Sequence, residues 1–113
     1  MADRDVPNET EQLVLLSLVR LGAEAYGVPI RAEIEARSGR SVSLAAVYAA
    51  LERLKLRGDV RSWLSEPLAE RGGRARKHFE ITPAGARALR EARAVMARMW
   101  KGLEMHPDLR GRT

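Results

Sequence analysis

The chain contains no cysteine. Disulfides, thiolate catalysis and Cys-ligated zinc are therefore excluded. Aromatic residues are scarce, two Trp, two Tyr and one Phe, so the core must be built from Leu, Val, Ile and Ala. Two histidines, His78 and His106, lie far apart, and no Asp/Glu constellation surrounds either. That argues against both a metal site and an acid–base centre. No Gly-rich phosphate loop follows a strand; Gly72-Gly73 falls between two strand-like runs. The longest apolar stretch, Leu13 to Leu21, is interrupted by Ser17 and Arg20. It is too short to span a bilayer, and no cationic start or small-residue cleavage site frames it as a signal peptide. The expectation is a soluble, cytoplasmic protein that is not an enzyme, uses no cofactor or metal and avoids membranes.

What is present suits one small folded domain. The chain has 113 residues, 45% of them hydrophobic, enough for a modest core. Its formal charge of +5 favours a polyanionic partner. Residues 1–9, with Pro7 and Asn8, read as a flexible arm. Thr10 can cap a first helix running to about Leu21, with Glu11 well placed for the helix dipole. Its apolar residues cover nearly the whole circumference, so it is either the central core helix or partly covered by a second subunit. Tyr26-Gly27-Val28-Pro29 opens a second helix, with Tyr26, Ile30 and Ile34 inward and Ser38-Gly39 as its stop.

Ser43 is a good N-cap for a third helix. Leu44, Val47, Ala50, Leu51 and Leu54 fall on one side of it; Ala45, Ala49 and Glu52 fall opposite. Ala46 and Arg53 lie at one edge, Tyr48 and Lys55 at the other. Gly58 ends it. Val60 to Leu64 and Lys77 to Ile81 read as paired strands around a long tip, Pro67 to Ala75, that carries Arg71, Gly72-Gly73 and Arg74. Thr82 and Pro83 start a last helix reaching about Glu104. Leu89, Met96, Trp100 and Leu103, with Met99 and Ala86 at the edges, form its apolar stripe. Residues 105–113 read as a flexible tail.

The order of three helices, two strands and a helix predicts a mainly α (α+β) fold. It is a winged helix-turn-helix over residues 10–82 with a C-terminal dimerisation helix over 83–104. The third helix is the expected recognition helix. Ala45, Ala46 and Ala49 make it slim enough for its backbone to approach base edges, and alanines can touch thymine methyls. Ser43 and the helix start suit a phosphate, as does the Tyr48 hydroxyl. Arg53 joins this set, although such residues are more often solvated. Arg71, Arg74, Arg76 and Lys77 around the glycines suit backbone or minor-groove contact by a flexible arm. The long stripe of Leu89, Met96, Met99, Trp100 and Leu103 exceeds what so small a fold can cover, which predicts pairing with a twin helix.

These residues resemble the PadR family of bacterial transcriptional regulators from about Glu11 to Leu103. The resemblance is carried by the Leu-rich first helix, Tyr26-Gly27 with Ile30 and Glu33-Ile34, and Ser43 followed by Val47-Tyr48 and Leu51-Glu52-Arg53-Leu54. Gly58, Gly72-Gly73-Arg74, Arg76-Lys77-His78-Phe79 and Ile81-Thr82-Pro83-Ala84-Gly85 complete it. It implies a homodimeric repressor on a palindromic operator in double-stranded DNA, often relieved by a small-molecule effector. Ala45-Ala46 stand where family members often carry a small residue with Thr or Ser, so one hydroxyl available to DNA is missing. The alternative is a winged-helix module that docks on an acidic protein and never touches DNA; both need the same fold.

Overall fold

The computed structural model describes residues 6–65 and 76–111. Among the described residues there are four α-helices and one hairpin: α1 (Glu9–Leu21), α2 (Gly27–Ser38), α3 (Leu44–Leu56), β1 (Val60–Leu64), β2 (Lys77–Ile81) and α4 (Pro83–Trp100). A short 3-10 turn, Gly22–Glu24, joins the first two helices.

α1 starts at Glu9, two residues earlier than the expected Thr10 cap implies, and its cap is Asn8. The Asn8 side chain accepts from the Glu11 amide, while the Asn8 amide donates to the Glu11 carboxylate at 3.0 Å. This reciprocal capping box satisfies two amide donors at once and outcompetes a lone Thr10 hydroxyl. The end of the expected arm is therefore tied down: Pro7 is buried, its carbonyl accepts from Gln12, and Glu9 pairs with Arg40.

The core joins α1, α2 and α3 to one face of the hairpin. Val14, Leu15, Ile30, Val47, Ala50, Leu51 and Leu54 are fully buried, with Phe79 of β2 beneath them. Each such large side chain contributes roughly 1.5–3 kcal/mol by leaving water. One side of α1 stays open: Leu16 and Val19 are exposed. Gly39 closes α2 in the left-handed region at φ 72°, where a side chain would be strained.

The strands pair antiparallel from Val60 opposite Ile81 to Leu64 opposite Lys77. The expected tip, with Arg71 and Arg74, lies outside the described residues. Thr82 then does two tasks. Its hydroxyl donates to the Gly58 carbonyl at 2.6 Å and accepts from the Gly85 amide at 3.1 Å. The exit of α3 and the entry of α4 are thus joined at one side chain.

α4 ends at Trp100, four residues short of the expected Glu104, and turns follow. Gly102 takes φ 84°, which a continuing helix cannot accept. Gly85, Ala88 and Ala92 are the residues α4 buries, and Leu89 packs against the chain's own core. Met96, Met99 and Trp100, and Leu103 beyond the helix, are exposed.

Candidate nucleic-acid interface

The candidate surface is built on α3. Ser43 is extended at its cap, and its Oγ accepts from the Ala46 amide at 3.0 Å. From there the helix presents its inward side, Val47, Ala50, Leu51 and Leu54, to the core. That burial fixes the rotation of the helix about its axis and leaves Ala45, Ala49 and Glu52 exposed, with Ala46 partly so. No side chain longer than a methyl group stands on the first two turns of the outward stripe. Sequence periodicity anticipated this face.

Tyr48 stands at the edge of that face, 38% exposed. Its ring leans on Gly27 at the start of α2: a Cβ on Gly27 would meet Tyr48 Cε2 at 2.7 Å. Its other neighbour is Phe79, with ring centres 6.3 Å apart. The glycine makes room for the ring, and the ring holds the hydroxyl at the seam between α2 and α3.

Arg53 is oriented differently from a free base reader. Its Nε donates to Glu11 at 2.7 Å, and Arg57 donates to the other oxygen of the same carboxylate at 2.9 Å. Glu11 is buried at 2% exposure. Burial alone would push its carboxyl up, but hydrogen bonds from Arg57, Arg53 and the Asn8 backbone outweigh that and leave it lowered. Arg57 also faces Asp59 at 3.5 Å. This cluster bolts the C-terminal half of α3 to the start of α1. The pairing was not legible in sequence, because no local pattern links residues so far apart.

At the wing, Ser65 and Arg76 close the hairpin stem. The Ser65 amide donates to the Arg76 carbonyl at 2.8 Å, and the Arg76 amide donates to Ser65 Oγ at 3.0 Å. The Arg76 guanidinium lies 4.2 Å above the Tyr26 ring, a cation–π contact that holds it against α2. Tyr26 meets His78 edge-on at 6.1 Å, and His78 stacks on Trp63 at 5.6 Å. His78 thus serves the hairpin as a packing residue. Lys77 reaches back to α3, its Nζ 3.6 Å from the Glu52 carboxylate. Ser43, Ala45, Ala46, Tyr48, Ala49, Arg76 and Lys77 therefore belong to α3 and the adjoining hairpin, while Arg53 is engaged with Glu11. Among the described residues, no group of three or more His, Asp and Glu is placed to hold a metal ion, and no helix is long and apolar enough to cross a membrane.

Comparisons with known proteins agree with this architecture. A transcriptional regulator from Clostridium thermocellum shares it at a TM-score of 0.69 and 20% identity, over 86% of this chain and 91% of that one. A PadR family transcription regulator from Clostridium difficile does so at a TM-score of 0.69 and 24% identity, over 86% and 95%. The ORC1 protein of Aeropyrum pernix, solved in complex with DNA, matches at a TM-score of 0.59 and 24% identity, over 81% of this chain but 26% of that one. Comparison with curated proteins finds no match. The transcriptional regulator PadR-like family matches residues 15–91. That stretch covers more than half of the chain and contains α2, α3 and the hairpin, so the chain belongs to the PadR-like family of transcriptional regulators, and it is not an enzyme.

Proposed function

We propose that the protein is a sequence-specific DNA-binding repressor, acting in the cytoplasm as a homodimer on a palindromic operator. The observation that carries this reading is the exposed, methyl-only stripe of Ala45 and Ala49 behind the Ser43-capped start of α3. Such a face lets a helix sit deep in the major groove and favours thymine methyls. Tyr48, Arg71, Arg74, Arg76 and Lys77 supply phosphate contacts, so affinity falls steeply with salt. The ORC1 protein, about a quarter of which this chain matches, was itself solved in complex with DNA, which accords with this reading.

Residues 10–82 form the DNA-binding part in this reading, and residues 83–104 the dimerisation part. Met96, Met99, Trp100 and Leu103 are 54%, 69%, 45% and 40% exposed, apolar surface that a monomer leaves in water. A twin α4 would cover it, and Leu89 would extend the seam. Pairing would also set two α3 helices to meet successive major grooves, about 34 Å apart. A small-molecule effector that relieves repression fits the same dimer, with Trp100 as the aromatic side chain of α4 available to it.

Selection of bound oligonucleotides from a random pool tests the reading. The expected result is a two-fold symmetric motif. A module that docks only on proteins would leave random-sequence duplex unbound even at low salt, and that outcome overturns the proposal.

A further inference from the structure

The outward stripe of α3 does not end in alanine. Ala45, Ala49 and Glu52 succeed one another at helical spacing, and all three are exposed. A helix rises about 1.5 Å per residue, so Glu52 stands roughly 10 Å along the axis from Ala45. That distance is comparable to the width of the major groove, about 12 Å. Because the first two positions carry only methyl groups, the helix can approach closely enough for a long side chain at the third to reach a base edge. Its carboxylate is the one group on the stripe that can make a hydrogen bond.

A carboxylate on a surface that faces phosphates is costly by itself. Here Lys77 of β2 offsets it, with Nζ 3.6 Å from Glu52 Oε2 and both side chains about half exposed. The neighbouring cation Arg53 is turned to Glu11 instead. The Glu52 charge therefore has a counterion from the wing, and its oxygens keep acceptor capacity.

Resting on the DNA-binding reading above, we propose that Glu52 is a specificity-determining residue. Its carboxylate accepts a hydrogen bond from the amino group of a cytosine in the major groove, and it repels sequences that offer only acceptors there. Base edges differ in this respect: cytosine presents an N4 donor with no acceptor beside it, adenine an N6 donor beside the N7 acceptor that repels a carboxylate, and guanine two acceptors. Lys77 is the accompanying cation and reads no base.

The test compares wild type, Glu52→Gln and Lys77→Met in selections from a random duplex pool, with salt titrations on random-sequence DNA. Wild type is expected to enrich cytosine roughly tenfold at one position of each half-site. Glu52→Gln shifts that enrichment from cytosine toward adenine, because its amide both donates and accepts, while keeping the rest of the motif; it binds random duplex roughly threefold or more tighter, because a repelling charge is gone and Lys77 is freed. Lys77→Met weakens all sequences alike. A purely structural Glu52–Lys77 pair would leave the preferred base unchanged, so an identical motif in wild type and Glu52→Gln overturns the inference alone. A wild type that enriches no motif overturns the regulator reading, and this inference with it.

Discussion

Arg53 of α3 donates to Glu11 of α1 at 2.7 Å, across 42 residues of sequence. A carboxylate buried to 2% exposure therefore holds α3 to the first helix of the chain. Glu11→Gln keeps the shape and removes the charge, leaving Arg57 without its main anionic partner. We expect a loss of about 2–3 kcal/mol, below the cost of breaking a fully buried pair because both guanidiniums reach solvent. Urea denaturation checks it.

The same carboxylate makes stability depend on pH. Its folded value is lowered, so its contribution is complete above the ordinary 4.5 and is lost as pH falls through the lower folded value. Wild type should lose stability as pH drops below that range, and Glu11→Gln should lack that share of the loss. Thermal midpoints measured from pH 6 downward, for both proteins, separate the two curves.

Two glycines should respond unequally to alanine. At Gly85 a Cβ would collide with the Asp59 carbonyl and stand 2.9 Å from Ile81 Cγ1, and backbone cannot yield cheaply. Gly85→Ala should cost about 1–3 kcal/mol. At Gly27 the obstacle is the exposed end of Tyr48, which can swing away. Gly27→Ala should change stability by less than about 1 kcal/mol while displacing the Tyr48 hydroxyl. A several-fold weaker gel-shift midpoint at unchanged melting temperature is the expected signature, and Tyr48→Phe should reproduce it.

The wing makes a prediction about salt. Arg74→Ala combined with Arg76→Ala should weaken binding to all sequences alike and reduce the slope of log affinity against log salt by about two. An unchanged titration would mean that the hairpin does not touch DNA.

Trp100→Ala tests the dimer. Trp100 is 45% exposed beyond the fold's own core, so removing it should cost a monomer little stability. Light scattering at micromolar concentration should show the variant shifted toward monomer, and a variant still fully dimeric would count against the seam.

Much of the fold was legible because its signals are local. Ser43 and Thr82 cap the helices they were expected to cap, and the strands span the expected, partly alternating segments Val60–Leu64 and Lys77–Ile81. The start of α1 was legible too, since Asn8 and Glu11 spell a capping box, but the hydroxyl of Thr10 is the more conspicuous candidate. The end of α4 was harder: an apolar stripe continues to Leu103, whereas the helix stops at Trp100, two residues before Gly102 takes its positive φ.

The sequence by itself determined which segments are helix or strand and which side of α3 is slim. The helices and the face of α3 depend on hydrogen bonds and side-chain spacing within about four residues, and strand candidacy on alternation along each segment. Only the tertiary structure decided that Arg53 turns to Glu11, that Tyr48 lies on Gly27, that Arg76 covers Tyr26 and that Lys77 meets Glu52. Each of these joins distant positions, and their distances follow from how the helices pack, which no local pattern encodes.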